Sequence, residues 1–406
     1  MQKWSYGNHP MWLIINKHLR MIAISVYKLT LKMCFLFLEL IISKNRNYWC
    51  FCTWKGYWHT MDNPRAIFEV VKNNPDITKI ILQKDKGADL TSGVNVKFIE
   101  AESFKGVYYT ACSKVILLGY SLSGLSSYGS LLTTRHSIIQ LWHGIPLKRI
   151  GMLFPEETFW SKETARYSAT VCSSKCDKNF MKQAFAPIPE NRVWQCGLPR
   201  NDTILIDEKY LAEDYLSMLQ ELRDRINGRK LVLYAPTWRI EIANRYNFSE
   251  NELGQLNELL KTYNAVFAIR GHSNTRAHQL IDLESGETRI IDVNNVPDVN
   301  ILLRLTDILI TDYSSIYIDF LITERPILHF TYDLDQYYKE RGFLYDIETA
   351  FASEESLNFS QLLSKLEAAL SGGISDANRY RRAKELFHDH VENSSSCVVE
   401  NIKEIS

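Results

Sequence analysis

Cysteine is scarce in this chain. Eight cysteines in 406 residues are too few for a disulfide scaffold. The close pairs Cys50-x-Cys52 and Cys172-x3-Cys176 have no second matching pair to complete a structural zinc site, so the cysteines read as reduced cytosolic thiols. An excess of charge of one sign is also missing, because 47 Lys and Arg cancel 47 Asp and Glu. That balance excludes a nucleic-acid binder with a global basic excess. With 46% apolar and 23% charged residues, it also excludes a disordered chain. Internal repeats, low-complexity tracts and a long disordered linker are absent. What remains is a chain long enough for two or three domains, each able to bury its own core.

The neutral total hides an asymmetry. Residues 1–60 hold eight Lys and Arg against Glu39 alone, a local +7 that the rest of the chain balances with acids. From Met11 to Ile42 the sequence is strongly apolar. Lys17, Arg20, Lys28 and Lys32 interrupt each window of about 20 residues that a membrane span requires, which argues against a spanning helix. The apolar runs are broken and no small-residue cleavage site follows, which argues against a signal peptide. On a helix, Lys17, Arg20, Ser25, Lys28 and Lys32 form a polar stripe opposite Ile22, Val26, Leu29 and Met33. This pattern suits an interfacial helix on anionic lipid, and equally an amphipathic helix packed on the protein's own core.

Beyond residue 60, short β-branched runs alternate with longer stretches of helical period, which predicts an α/β fold with mostly parallel sheets. Strands are expected at Lys79–Leu82, Val94–Ile99, Lys114–Leu118, Ser137–Leu141, Ala169–Cys172 and Arg192–Cys196. A second series is expected at Lys230–Tyr234, Ala265–Ile269, Arg289–Val293, Asp307–Ile310 and Pro326–His329. Each series makes one Rossmann-like sheet. Turn residues Gly197-Leu198-Pro199-Arg200-Asn201-Asp202 interrupt the apolar pattern between them. The division is therefore a basic amphipathic membrane-association segment (1–60), an N-terminal Rossmann-like domain (61–195) and a C-terminal Rossmann-like domain (196–406).

Four polar clusters follow predicted strands, where an α/β sheet binds ligand. They are Trp142-His143-Gly144-Ile145-Pro146-Leu147-Lys148, Ala235-Pro236-Thr237-Trp238-Arg239, Arg270-Gly271-His272-Ser273-Asn274 and Thr311-Asp312-Tyr313-Ser314-Ser315. Lys148, Arg200, Arg239 and Arg270 are cations available for phosphate. Ser314 or Ser315 is a natural N-cap for the apolar run Ile316–Ile322, where free N–H groups and the helix dipole attract an anion. Asp319, one turn further on, can accept from a polyol hydroxyl. His143 and His272, one from each half of the chain, each sit between a strand and a glycine-containing turn with a cation nearby.

These clusters, in this order, with Asp319-Phe320 and Pro326, resemble the signature set of the CDP-glycerol glycerophosphotransferase family, which contains bacterial teichoic-acid primases and polymerases and related capsule enzymes. Asp62-Asn63-Pro64-Arg65 through Ser103-Phe104-Lys105-Gly106 resembles the family's first domain, and Asp333 to Gly342 its segment after the serine motif. Ile145 stands where the family often has Thr, and Ser273 where Pro is common. The resemblance implies two Rossmann-like domains facing across a cleft in a GT-B-like arrangement, the first (61–195) on the acceptor side and the second (196–406) binding the CDP-polyol. It implies CDP-polyol contacts at His143, Gly144, Ile145, Pro146, Leu147, Arg200, Pro236, Thr237, Arg270, Gly271, His272, Ser314, Ser315 and Asp319, with further phosphate contacts at Lys148 and Arg239. The two catalytic histidines fall on His143 and His272.

The expected reaction is attack by an acceptor hydroxyl on the β-phosphorus of CDP-glycerol or CDP-ribitol, with release of CMP. His143 takes the hydroxyl proton, and His272 with Arg270 stabilises the pyrophosphate. No cofactor or metal is required on this scheme. Asp333-x-Asp335, which resembles a metal-nucleotide motif of another transferase class, lies at a predicted helix start instead. The acceptor is expected to be a lipid-linked or polymeric polyol phosphate or saccharide at the cytoplasmic face of the bacterial membrane. The expected partners are the CDP-polyol, that acceptor and an anionic membrane surface, with no nucleic acid. A ribitol donor, or a sugar nucleotide on the same fold, is the alternative.

Overall fold

A computed structural model describes residues 10–52, 62–84, 92–154, 158–237, 246–271, 289–373 and 376–406. Thirteen strands among these residues form two parallel sheets. The first has seven strands: β1 (Asn45–Cys52), β2 (Thr78–Gln83), β3 (Val96–Glu100), β4 (Ser113–Leu118), β5 (Ser137–Gln140), β6 (Ala169–Val171) and β7 (Val193–Trp194). Their order is β3-β2-β1-β4-β5-β6-β7. The second has six: β8 (Lys230–Tyr234), β9 (Ala265–Ile269), β10 (Ile290–Asp292), β11 (Ile308–Thr311), β12 (Ile327–Phe330) and β13 (Glu355–Ser356). Their order is β10-β9-β8-β11-β12-β13. A parallel sheet covered by helices on both faces needs strands that are apolar on both sides. Runs such as Ile138, Ile139 and Leu231, Val232, Leu233, all fully buried, supply them. The chain reverses direction across the sheet beside β1 in the first and beside β8 in the second, and these are the points at which crevices open beyond the strand ends.

The structure corrects the expected boundaries at both ends. Residues 45–52 are not part of a detached N-terminal segment. Asn-Arg-Asn-Tyr-Trp-Cys-Phe-Cys pairs on one side with β2 and on the other with β4, near the middle of the first sheet. Its polar first half hid it from the apolar pattern. At the other end, helix Ser394–Ile405 crosses back from the second domain and packs on α2 (Asp62–Val71). Asp202 caps its start, accepting from the N–H groups of Ser394 and Ser395 at 3.0 and 2.8 Å. This return also overturns the reading of all cysteines as free thiols: Cys196 and Cys397 form a disulfide across 201 residues. Only the tertiary path brings them together, and no local spacing could have paired them.

Helix α1 (Pro10–Ile41) has two regimes. Its last turns are docked: Leu31 and Phe35 are fully buried, and Phe35 stacks on Tyr128 at 5.1 Å. Glu39, 4% exposed, accepts from Lys44 at 2.5 Å and meets His136 Nε2 at 3.0 Å. Burial pushes this carboxyl up, but His136, Lys44 and Thr133 outweigh it and hold it down at about 2. Residues 17–30 are exposed throughout, including Ile22, Ile24, Val26 and Leu29. By length and composition Lys17–Ile41 is apolar enough to cross a membrane, contrary to the reading from its charges. Its C-terminal third is nonetheless committed to the protein's own core.

Candidate active site at the seam between the domains

Strand β5 ends at Gln140, and the chain then turns sharply. Trp142 adopts φ +53°, a region a bulky residue rarely visits, and Gly144 follows at φ +141°. A Cβ on Gly144 would lie 2.8 Å from Arg200 Nη2 and 3.3 Å from Ser315 Oγ. Glycine is therefore required here, and the contact brings the first-domain turn against the second-domain serine cluster. The turn is held from below by side chains. Gln140 Oε1 accepts from Trp142 N at 2.9 Å. Asn63 Nδ2 donates to the carbonyls of Leu141 and Trp142, each at 3.0 Å.

His143 is half-buried, its ring stacked on Trp142 at 4.2 Å and on Tyr120 at 5.0 Å. Its Nδ1 lies 3.0 Å from the carbonyl of Gly119. A carbonyl can only accept, so Nδ1 carries the proton and Nε2 presents a lone pair. Burial pushes the imidazole down to about 4; the Gly119 carbonyl opposes this and the Arg200 charge adds to it. The ring is thus neutral at physiological pH, the state a general base needs. Around it the segment Trp142–Ile150, Phe154 and Ser315 enclose a cavity of about 250 Å³.

Arg200 lies beneath this turn rather than in the cavity. Its Nη1 donates to Asp62 at 3.1 and 2.9 Å and to the carbonyl of His143 at 2.8 Å, and its Nη2 bonds Asp319. Arg200 and Asp319 were expected to meet phosphate and polyol, yet here they pair with each other across the seam. Two atoms of this network are left over: Asp319 Oδ1 and Arg200 Nε are buried without partners.

On the second-domain side, Thr237 N donates to Asp312 Oδ1 at 2.7 Å, joining the loops after β8 and β11, while the Thr237 hydroxyl is buried without a partner. Ser315 stands at the N-cap of helix Ile316–Phe320, but its hydroxyl makes no capping bond. Arg270 follows β9 and points its Nη1 to the carbonyls of Val293 and Val296, at 3.3 and 2.6 Å. Lys148 Nζ reaches across the seam to the Tyr337 hydroxyl at 2.7 Å. Among the residues expected at the site, the structure gathers His143–Leu147, Arg200, Ser315 and Asp319 directly. Pro236, Thr237, Arg270, Gly271 and Ser314 stand at strand ends of the second sheet, and His272 and Arg239 lie outside the described residues. Among the described residues there is no cluster of three metal-ligating side chains. Asp333 sits at the start of helix Leu334–Arg341 and accepts from the Tyr313 hydroxyl at 3.1 Å.

Sequence reasoning missed Asp62, Asn63 and Gln140 as parts of the site. The signal available was Asp62-Asn63-Pro64, which reads as a helix start, and nothing in it says which loop the helix start will face. A larger cavity of about 520 Å³ opens where α2, residues 202–215 and residues 391–396 meet. Its lining carries Glu69, Asp202 and Glu392 but no Lys, Arg or His, so it offers a phosphate no cationic side chain and three carboxyl groups.

Two parallel sheets with a neutral, half-buried histidine at the seam between them make a GT-B-like fold with a candidate base in its cleft. The CDP-glycerol:poly(glycerophosphate) glycerophosphotransferase family matches residues 34–404, and the chain belongs to that family. It is a transferase that moves polyol phosphate from a CDP-polyol to an acceptor. A teichoic acid glycerol-phosphate transferase of Staphylococcus aureus is 26% identical over 362 residues, 85% of this chain and 88% of that one. A teichoic acid poly(glycerol phosphate) polymerase of Bacillus spizizenii is 31% identical over 305 residues, 70% of this chain and 74% of that one. A solved structure of the wall teichoic acid polymerase TagF superposes with a TM-score of 0.75 over 96% of this chain and 98% of that one, at 24% identity, and so speaks for the fold.

Proposed function

We propose that the chain transfers glycerol phosphate from CDP-glycerol to a hydroxyl of a membrane-linked acceptor in teichoic-acid-like or capsular polymer synthesis, with His143 as the general base. The observation that carries this reading is the imidazole itself: Nδ1 is committed to Gly119, leaving Nε2 as a lone pair on a ring that lines the same cavity as Gly144 and Ser315. The acceptor hydroxyl gives its proton to Nε2 as its oxygen bonds the β-phosphorus. The bond from that phosphorus to the bridging oxygen breaks, and CMP leaves with the electron pair. Arg270 and His272 neutralise the pyrophosphate, Thr237 and Ser315 donate to its oxygens, and Asp319 Oδ1 accepts from the polyol. No cofactor enters this scheme. Ribitol-phosphate polymerases and a ribitol-phosphate primase are also among the relatives, which favours CDP-ribitol as the second reading.

The test is incubation with CDP-glycerol, CDP-ribitol or a UDP-sugar plus acceptor, with CMP or UDP release and the phosphodiester product measured. His143→Ala is expected to lower turnover by about 10² or more while the fold is retained, the lower end for a lost general base. A folded variant with near-normal rate defeats the assignment.

The docking site is the cytoplasmic membrane face, and the exposed part of α1 is the contact. Its apolar residues Ile22, Val26 and Leu29 enter the interface, while Lys17, Arg20 and Lys28 meet anionic headgroups. Changing these three cations to Gln is expected to release the protein from anionic vesicles in sedimentation, at about 1 kcal/mol per charge. Turnover on a short soluble acceptor is expected to persist. Vesicle binding unaltered by the triple change would refute the contact.

A further inference from the structure

We infer that Asp62 and Asn63, at the start of α2, are positioning residues that fix the direction of the His143 imidazole. The inference rests on the reading of His143 as the base. Three successive carbonyls of the turn, those of Leu141, Trp142 and His143, each accept a bond that traces to this pair. Asn63 Nδ2 serves the first two at 3.0 Å. Arg200 Nη1 serves the third at 2.8 Å, held in place by the Asp62 carboxylate at 2.9 Å. The Asn63 side chain is fully buried and its capacity is used on both sides, because Oδ1 accepts from Arg200 N at 2.9 Å.

The same helix start also touches the other support of the ring. A Cβ on Gly119 would meet Pro64 Cδ at 3.4 Å, so Pro64 backs the residue whose carbonyl receives the His143 Nδ1–H. Trp142 at φ +53° is a conformation that surroundings must impose, and the surroundings that do so are Gln140 and the Asp62–Asn63 pair. The apolar face of α2, with Ile67, Phe68 and Val71, anchors this start to the first sheet. Asn63 thereby transmits a rigid scaffold to a reactive side chain, as a general base held within a small tolerance requires.

A double-mutant cycle tests this, read in kcat and in KM for CDP-glycerol, with His143→Ala, Asn63→Ala and the double variant. The expected result is a fall in kcat of roughly 10- to 100-fold for Asn63→Ala with KM little changed, and no further fall when it is added to His143→Ala. An effect that multiplies with that of His143→Ala overturns the inference, because a general structural defect would act independently of the imidazole. If His143→Ala itself turns over normally, the base assignment fails. If His143→Ala is inactive and Asn63→Ala is not, the positioning role alone fails. Should Asn63→Ala not fold, Asp62→Asn carries the test. It keeps shape and weakens the hold on Arg200, so nitrogen chemical shifts of the His143 ring are expected to show a mixed tautomer in place of Nδ1–H. An unchanged tautomer with unchanged kcat overturns the inference in that variant.

Discussion

The two walls of the cleft differ in how far the protein satisfies its own polar groups. On the first-domain wall, the carbonyls of Leu141, Trp142 and His143 are bonded, His143 Nδ1 has Gly119, and the ring is stacked on two aromatics. On the second-domain wall, the Thr237 hydroxyl and Asp319 Oδ1 are buried without partners, and Ser315 makes no capping bond. A base must already be aligned when the reaction occurs, so its supports are internal. A binding wall instead benefits from donors and acceptors that only the ligand completes, since each buried unpaired group gains most when a partner arrives. On the proposed function, this contrast gives preorganisation to one domain and recognition to the other.

The largest expected effect comes from removing the residue that joins the walls. Arg200→Met leaves Asp62 and Asp319 without their cation in a buried setting, and the loss of stability is expected to be about 3–5 kcal/mol. Denaturant midpoints measure it. Adding Asp62→Asn and Asp319→Asn should recover much of the loss, and no recovery would mean that Arg200 acts through packing.

A second test sharpens the first-domain side. Because the His143 pKa is lowered to about 4 from 6.5, the neutral base persists well below the ordinary imidazole range. The acid limb of kcat/KM is therefore expected nearer pH 4 than 6.5. The sign for stability agrees: between those values the unfolded chain binds the proton that the folded one refuses, so this site's contribution is present above 6.5 and lost as the pH falls to about 4. A rate limb at 6.5 that vanishes in His143→Ala would place the ring in water.

The smallest expected effect probes the recognition side. Thr237→Val removes a hydroxyl that is buried without a partner, so melting should be unchanged or slightly improved. CDP-glycerol should bind about three- to tenfold more weakly, the worth of one hydrogen bond. Calorimetry reads both, and unaltered affinity would remove Thr237 from the site.

Apolar periodicity determined ten of the strand positions from β2 to β11 and also β12, because a strand in a covered parallel sheet must be apolar on both faces. It also located the four strand-end clusters, since each interrupts an apolar run with polar residues and turn formers. It did not reveal β1, whose first three residues are Asn45, Arg46 and Asn47, nor the two-residue β13. The motif set named Arg200 and Asp319 as site residues but could not show that they pair with each other. Nor could it show that Asn63 and Gln140 hold the His143 turn, or that Cys397 returns to Cys196. These contacts join residues up to 201 positions apart. Local pattern sets which face of an element is buried; which buried polar groups meet is decided when the two sheets close on one another and every enclosed donor and acceptor must find a partner or be left for the substrate.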